Sequence, residues 1–141
     1  GALTALIVFV PAYEPPQYDD TAASISYDKI ETNDDRIAFL AQFGYKVSGE
    51  PIESVELTLP DDFDRVFSGY NELQKAQGLD LAKYKGKTVT RYTYEVDGYP
   101  GHEGEKIYAN LIVRKNRIIA GDICSAEPSG FIHGFERNGD K

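Results

Sequence analysis

Three strand-like segments in the last third of the chain constrain the fold more than any other feature. They cover residues 88–96, 107–114 and 117–124. Each is rich in β-branched and aromatic residues with short apolar alternation, which is the pattern of strands in a sheet. Only Lys115 and Asn116 separate the second segment from the third, so we predict a tight antiparallel hairpin there, although the preferred glycine is missing from the second turn position.

The predicted turn fixes which side chains share a face of this hairpin. The resulting apolar face consists of Ile107, Ala109, Leu111, Val113, Ile118, Ala120, Asp122 and Cys124. On it Cys124 is a small hydrophobic residue, which is the usual role of a free cysteine. Asp122 needs a special position: the rim of the sheet, backbone hydrogen bonds from the following loop, or a place in a site. On the other face Asn110 lies opposite Gly121, where the missing side chain leaves space for something to approach.

Two predicted helices precede these strands. Thr32 is placed to cap the first helix, and Gly44 suits the left-handed position that ends it. The second helix has apolar residues at helical spacing, namely Phe63, Val66, Phe67, Tyr70 and Leu73. Between the helices, a half-buried strand is indicated by the alternating residues Val55, Leu57 and Leu59. We therefore predict an α+β fold, with two helices packed on one face of an antiparallel sheet of about four strands.

The amino-terminal end differs in composition from the rest of the chain. Residues 2–10, ALTALIVFV, are uncharged and mostly apolar, and a Pro-rich acidic stretch starts at Pro11. This stretch is too short to cross a bilayer alone, which takes about 20 residues. It is either a short buried strand or the end of a membrane anchor or signal segment, and the abrupt change at Pro11 favours the anchor. We predict an anchor end with a tether over residues 1–31, a single α+β domain over residues 32–141, and a chain that is soluble as given.

Composition and motifs argue against several functional classes. The net charge of −8 opposes binding to nucleic acid or to anionic membranes, since both require clustered Lys and Arg. A single cysteine cannot form an internal disulfide. The sequence has no glycine-rich phosphate loop, EF-hand loop or serine nucleophile elbow, and we predict no cofactor. The loop 97–105 contains His102, Glu103 and Glu105, but their spacing fits no established metal site, and we predict no metal.

The lone cysteine and the nearby His133 allow two interpretations. In a thiol-dependent hydrolase, Cys124 is the nucleophile and His133 or His102 is the base. Asp122 or Asn110 then orients that base. A catalytic cysteine prefers a helix amino terminus or an electropositive pocket, however, and Cys124 ends a strand of an acidic chain. We therefore expect a packed thiol, together with an aromatic flap in which the side chain of His133 and its flanking phenylalanines close the edge of the sheet.

Tyrosine is abundant, with 10 residues in the chain, and its combination of apolar ring and hydroxyl suits recognition surfaces. We expect Tyr92 and Tyr94 to pack beneath the helices, because the residues that alternate with them are polar and make a natural solvent face. Tyr99 and Tyr108 stay open as candidates for contact with a ligand or partner.

Several phrases of the chain resemble those of one family of bacterial proteins. They are FLAQFGYKV (39–47), YNELQKAQGLDL (70–81), RYTYEV (91–96), YANLIV (108–113), IIAGDICS (118–125) and GFIHGF (130–135). In this order, the phrases resemble an uncharacterised family of Gram-positive bacterial proteins that is known only as a domain of unknown function. The resemblance covers roughly residues 33–136. The resemblance implies an N-terminal membrane anchor before the domain, and it implies no activity.

Taken with the resemblance, these patterns lead us to expect an extracytoplasmic, membrane-anchored domain that is a non-catalytic binding or protein-interaction module. Its partner is expected to be an unknown protein or a component of the cell envelope. The alternatives are the thiol-dependent hydrolase and a structural accessory domain of an envelope assembly. No catalytic residue is assigned. The candidate ligand- or partner-facing residues are Tyr99, Tyr108, Asn110, Gly121, Asp122 and His133.

Overall fold

The computed structural model describes residues 26–127 and 130–136 of the 141-residue chain. Its helices are α1 (Asn33–Ala41), α2 (Arg65–Ala76) and a 3₁₀ helix (Leu81–Tyr84). Its strands are β1 (Lys46–Val47), β2 (Glu53–Thr58), β3 (Thr88–Asp97), β4 (Ile107–Arg114), β5 (Arg117–Ser125) and β6 (Ile132–His133). The predicted anchor end and most of the predicted tether lie outside the described residues.

The six strands form one antiparallel sheet in the described part of the chain. β3, β4 and β5 lie side by side in its middle. β1 and β2 pair with β3 on one side, and β6 pairs with the end of β5 on the other. The predicted α+β class is confirmed. The sheet has more strands than the four or so predicted, because β1 and β6 are 2 residues long and leave no periodicity in the sequence.

The helix ends follow the local signals of the sequence. The Thr32 side chain accepts a hydrogen bond from the Asp35 N–H, and the Asp35 carboxylate accepts one from the Thr32 N–H, which makes a capping box. Asp64 caps α2 by accepting a bond from the Phe67 N–H. After α1, Gly44 has a φ of 94°, the left-handed conformation predicted for it. Both helix starts and the first helix end are thus locally encoded.

The two helices cover opposite faces of the sheet, so the prediction of two helices on one face is wrong. Leu40 of α1 packs in a core with Leu111 of β4, whereas Phe67 of α2 packs against a second core that contains the next residue of that strand, Ile112. Adjacent residues of a strand point to opposite faces. We call the two sides the α1 face and the α2 face. The alternation of apolar and polar residues in β3 predicted that its polar side faces solvent. That side is instead covered in part by α2, and the polar residue Arg91 lies beside this helix.

The β4–β5 hairpin turns at Lys115 and Asn116, as predicted, and both residues have positive φ values, of 51° and 63°. The segment before α1 runs beside this turn. The Ile30 N–H donates to the Asn116 carbonyl at 2.9 Å, and the Ile118 N–H donates to the Tyr27 carbonyl at 2.8 Å. Ile30 is buried in the core of the α1 face. The folded part therefore begins before residue 32, and the end of the predicted tether belongs to the domain.

A β-bulge in β5 changes the pairing beyond the turn. Val113 pairs with Ile118, but Ile112 pairs with Ala120, which leaves Ile119 as an extra residue. One extra residue moves every following side chain of the strand to the opposite face. The predicted apolar face of the hairpin is therefore wrong for the second half of β5.

Two predicted pairs are replaced as a result. Asn110 pairs with Asp122 instead of Gly121, and Gly121 pairs with Leu111. Asp122 and Cys124 consequently lie on the α2 face together with Asn110, and not on the face of Leu111.

The end of α2 lies beside the outer side of β5. The buried Gln74 side chain bonds both main-chain groups of Gly121: its Oε1 accepts from the N–H and its Nε2 donates to the carbonyl oxygen, each at 2.9 Å. The amide thus takes the place of a neighbouring strand. The outer side of β5 is covered near its start by Tyr27, at Gly121 by Gln74 and at its end by β6.

Candidate functional site

Asp122 is the only charged residue among the buried residues of the described part, and it is 3% exposed. The bulge in β5 places it on the α2 face, in one cross-strand row with Thr93 of β3 and Asn110 of β4. Tyr70 reaches it from α2. A buried carboxyl group needs hydrogen-bond donors, and these neighbours provide them.

The hydrogen bonds around this carboxyl group form a connected network. The Tyr70 hydroxyl donates to Asp122 Oδ1 at 2.6 Å, and Asn110 Nδ2 donates to Asp122 Oδ2 at 3.1 Å. The Thr93 hydroxyl donates to Asn110 Oδ1 at 2.7 Å, which orients the amide. Cys124 Sγ lies 3.7 Å from Asn110 Nδ2. We call these five residues the Asp122 cluster.

Burial sets the protonation state of the cluster. It raises the pKa of Asp122 above the ordinary range, although the hydrogen bonds from Tyr70 and Asn110 oppose the rise. Burial also raises the pKa of Tyr70 well above its ordinary value, and the Asp122 charge adds to that shift. The pKa of Cys124 rises to about 11, through burial first and the Asp122 charge second. The tyrosine and the thiol are therefore protonated at neutral pH, and the carboxyl group is the acceptor of the cluster.

Cys124 and His133 lie on opposite faces of the sheet. Cys124 pairs with Ile132 and shares its face, whereas His133 pairs with Ile123 and points to the α1 face. The ring nitrogens of His133 lie within hydrogen-bond distance of Tyr99 and of a main-chain carbonyl. A nucleophilic thiolate requires a lowered pKa, and here the thiol pKa is raised. These positions agree with the packed-thiol interpretation.

A groove of about 290 Å³ lies between α2 and the sheet, beside the Asp122 cluster. Its apolar lining consists of Leu57, Leu59, Val66, Phe67, Leu81 and Ile112, and its polar lining consists of Tyr70, Arg91, Asn110 and Asp122. We call it the α2 groove. Arg91 Nη2 donates to Glu53 Oε1 at 2.8 Å, so the charge of Arg91 is paired. The Asp122 carboxyl group forms no ion pair among the described residues, although the charge of Arg91 acts on it from a distance. Val66 is 76% exposed.

Gly121 does not face the Asp122 cluster, which corrects its prediction as a ligand-facing residue. It lies on the α1 face, where an added Cβ would be 2.2 Å from Phe135 Cζ and 2.6 Å from the Asn110 carbonyl oxygen. The space predicted beside this glycine exists, but the Phe135 ring of the same chain fills it. Gly121 is therefore a packing residue.

The family model described as Domain of unknown function (DUF4830) matches residues 39–123, which is more than half of the chain. The chain belongs to this family. No curated protein and no solved structure matches the chain. The matched part of this DUF4830 domain begins in α1 and ends in β5, so that it contains Tyr70, Asn110 and Asp122, whereas Cys124 and β6 follow it.

In this DUF4830 domain Tyr99 and His133 come together, away from the Asp122 cluster. The Tyr99 hydroxyl lies 2.7 Å from His133 Nε2, and the His133 ring stacks on Phe131 with centroids 5.3 Å apart. Phe135 is buried in the core of the α1 face, where its ring contacts that of Phe39. The predicted aromatic flap around His133 is confirmed, and it covers one end of the α1 face.

Tyr108 lies on the α2 face opposite Cys124, at the margin of the Asp122 cluster, and is half-buried. The sequence interpretation missed Tyr70 and Thr93. Helical spacing marked Tyr70 as an apolar core position, and alternation marked Thr93 as solvent-facing. The one available signal was Asp122 itself, because a carboxyl group within an apolar strand requires a partner somewhere.

Residues 26–127 and 130–136 contain no group of three or more His, Cys, Asp or Glu side chains placed to hold a metal ion. His102 instead pairs with Glu105, with Nδ1 at 3.1 Å from Oε2. Within the same described ranges of the DUF4830 domain, neither α-helix has the length and apolar composition that crossing a membrane requires.

Proposed function

We propose that this DUF4830 domain is a non-catalytic binding module whose ligand occupies the α2 groove. The observation that carries the proposal is a buried carboxyl group, that of Asp122, at the polar end of an apolar groove. The two carboxyl oxygens accept hydrogen bonds from Tyr70 and Asn110, and the Cys124 thiol adds a third contact. Capacity for a further donor is left, because two carboxylate oxygens can accept about four bonds. The ligand is a small molecule or a side chain with an apolar body and a protonated amine.

A protonated amine fits this site better than a carboxylate does. Asp122 is held by neutral donors, so a cation beside it gains a charge-assisted hydrogen bond in a poorly hydrated place. Arg91 offers less to an anion, because its Nη2 already pairs with Glu53. Its Nε has no partner among the described residues, but this donor is itself buried. In its ionised form the Asp122 carboxylate would also repel an anionic ligand.

We place the domain at the outer face of the membrane of a Gram-positive bacterium, behind an N-terminal anchor. The support is the resemblance of the sequence phrases, together with the apolar residues 2–10 and the Pro-rich stretch that follows them. The ligand is then a component of the cell envelope or an extracellular protein. Intact cells treated with a membrane-impermeant biotinylation reagent test this location. We expect labelling of the full-length protein before lysis, and labelling only after lysis contradicts the location.

The ligand chemistry is tested with three probes of equal length: hexylamine, hexanol and hexanoate. Backbone amide chemical shifts of the isotopically labelled chain are recorded during titration with each probe. We expect shifts in α2, Asn110 and Asp122, and binding of hexylamine at least about tenfold tighter than that of hexanoate, as a charge-assisted hydrogen bond provides. Tighter binding of hexanoate, or shifts confined to other surfaces, contradicts the proposal.

Two exposed apolar residues provide matched variants for this titration. Val66 lines the α2 groove, and Ile132 is 52% exposed on another part of the surface. Because both side chains are exposed, replacing either by lysine leaves the fold intact. We expect Val66→Lys to weaken hexylamine binding by charge repulsion and blockage of the groove, and Ile132→Lys to leave it unchanged. Equal effects of the two variants mean that the amine does not bind in the groove.

A further inference from the structure

The two outer strands of the sheet differ in how they are covered. The outer side of β5 is closed by Tyr27, by Gln74 and by β6. In the described ranges β2 pairs with β3 alone, so its other side carries unpaired main-chain groups. Such an edge pairs readily with another extended chain. Within these ranges β2 is therefore the edge to which another extended chain can be added.

The side chains of β2 define what kind of strand fits beside it. The pairing of β2 with β3 shows which face each residue of β2 occupies. Glu53, Val55 and Leu57 lie on the α2 face, and Ser54, Glu56 and Thr58 lie on the α1 face. Val55 and Leu57 are half-buried, and the carboxylate of Glu56 is exposed. Ile52, directly before β2, is 53% exposed. A partner strand therefore meets the apolar residues Val55 and Leu57 on one face, and the single carboxylate of Glu56 between two hydroxyl residues on the other.

A second copy of the same chain is a poor partner for this edge in the register that pairs Val55 with Leu57. Antiparallel pairing of two β2 strands that sets Val55 against Leu57 of the second copy also sets the two Glu56 carboxylates directly opposite each other. Like charges in directly opposed positions destabilise a strand pair. The net charge of −8 adds repulsion between copies and attraction towards a basic partner.

We infer that β2 is a docking edge for an extended, basic peptide segment of a partner protein, which adds to the sheet as an antiparallel strand. The segment has β-branched residues opposite Val55 and Leu57, and a lysine or arginine opposite Glu56. Its main chain bonds the free side of β2, while its apolar side chains extend the α2 face. This surface adjoins the α2 groove at Leu57. Its charged contact is separate from the one proposed for the groove ligand, because Glu56 points to the other face of the sheet from Asp122.

The test uses the capped hexapeptide Thr-Val-Lys-Val-Thr-Lys, in which the first lysine falls opposite Glu56. A matched peptide carries glutamate in place of that lysine. Titration of the complete labelled chain at low ionic strength, followed by amide chemical shifts, measures both affinities. We expect chemical-shift changes centred on β2, and binding of the lysine peptide about three- to tenfold tighter than that of the glutamate peptide. This factor corresponds to replacing one repulsive cross-strand charge pair by one attractive pair.

A reciprocal variant separates pairing at this edge from general attraction to an acidic protein. Glu56→Lys changes an exposed residue, so the fold is preserved. We expect it to prefer the glutamate peptide. The matched variant Glu72→Lys, on the exposed surface of α2, should keep the preference of the wild type for the lysine peptide. If both variants shift the preference equally, the attraction is only a net-charge effect and the inference fails.

Main-chain pairing is tested with two peptides that carry N-methyl groups on alternate residues. In an antiparallel pair the N–H groups of alternate residues point to the same side. We therefore expect one methylated peptide to lose binding and the other to retain it. Equal affinities of the two, no shifts in β2 at millimolar peptide, or shifts only around the α2 groove would each overturn the inference.

Discussion

At the residue scale, the position of Asp122 depends on Ile119. Pairing continued in register from the turn would place the carboxyl group on the α1 face, among apolar neighbours such as Leu111. The extra residue turns it to the α2 face, where Tyr70 and Asn110 each donate a hydrogen bond to it. Bulges commonly re-aim a side chain in this way. One local irregularity thus supplies the polar end of the α2 groove.

The raised pKa of Asp122 makes a prediction about stability and pH. A folded-state pKa above that of the unfolded chain means that the folded state binds the proton more tightly. The free energy of unfolding, taken relative to Asp122→Asn, should therefore fall as the pH rises from the ordinary aspartate range through the raised pKa. The slope is at most about 1.4 kcal/mol per pH unit. Urea unfolding of both proteins, from about pH 3.5 to about pH 7.5, measures this difference.

Asp80 provides a control of opposite sign. The hydrogen bond from the Asn71 side chain, then that from the Ala82 N–H, lowers the pKa of Asp80. Its stabilising contribution is present above the ordinary aspartate pKa and is lost as the pH falls through the lowered value. The free energy of unfolding relative to Asp80→Asn should thus rise with pH. If the free energy of unfolding relative to Asp122→Asn also rises with pH, the pKa of Asp122 is not raised by burial, and the prediction for Asp122 is wrong.

At the scale of the elements, Gln74 joins α2 to the edge of β5, and Gln74→Met tests this link. Methionine keeps most of the volume but removes both hydrogen bonds to Gly121, and it leaves a buried N–H without its partner. We expect the free energy of unfolding to fall by about 2 kcal/mol. The amide of Gly121 should also exchange with solvent hydrogen faster relative to the other amides of β5. Denaturant unfolding and native-state hydrogen exchange measure the two effects.

Glu72→Met is the matched control on the same helix. Glu72 is exposed and pairs only loosely with Lys75, at 3.4 Å, and glutamate and methionine have similar helix propensities. We expect its effect on stability to stay within about 0.5 kcal/mol. If Gln74→Met behaves like this control, the amide does not hold α2 against the strand.

Also at the scale of the elements, the sequence predicted what short-range signals encode. The caps at Thr32 and Gly44, the turn at Lys115 and Asn116, and the long strands follow from local residue preferences. The face of each side chain after the bulge did not follow. Ile118 and Ile119 are both apolar, so nothing in their chemistry marks one of them as the extra residue, and a one-residue error in register reverses all later assignments.

The site was predictable only in part for the same reason. Asn110 and Asp122 were both candidates, yet their direct pairing, and the contribution of Tyr70, depend on where a distant helix crosses the sheet. Gly121 marked a close approach correctly, but the approaching group is the Phe135 ring of the chain itself. The sequence thus shows that Asp122 needs hydrogen-bond donors and that another group comes close to Gly121. Which groups these are depends on tertiary packing.

At the scale of the whole molecule, one sheet carries two cores. Leu111 and Val113 of β4 belong to the core of the α1 face, and Ile112 between them belongs to the core of the α2 face. β4 also pairs with both β3 and β5 along its length. Unfolding of either core therefore disturbs β4, against which the other core packs. We therefore expect the described part of the chain to unfold as one cooperative unit.

Leu40→Ala and Leu81→Ala test that cooperativity, because each removes a fully buried side chain from one core only. We expect each to lower the free energy of unfolding by about 3 kcal/mol. Each should also shift one common transition, seen at the same urea concentration by far-ultraviolet circular dichroism and by tyrosine fluorescence. If Leu81→Ala instead produces an early, separate transition, α2 and its core unfold alone. The groove would then lie on an independently opening layer, and the shared strand would not couple the two faces.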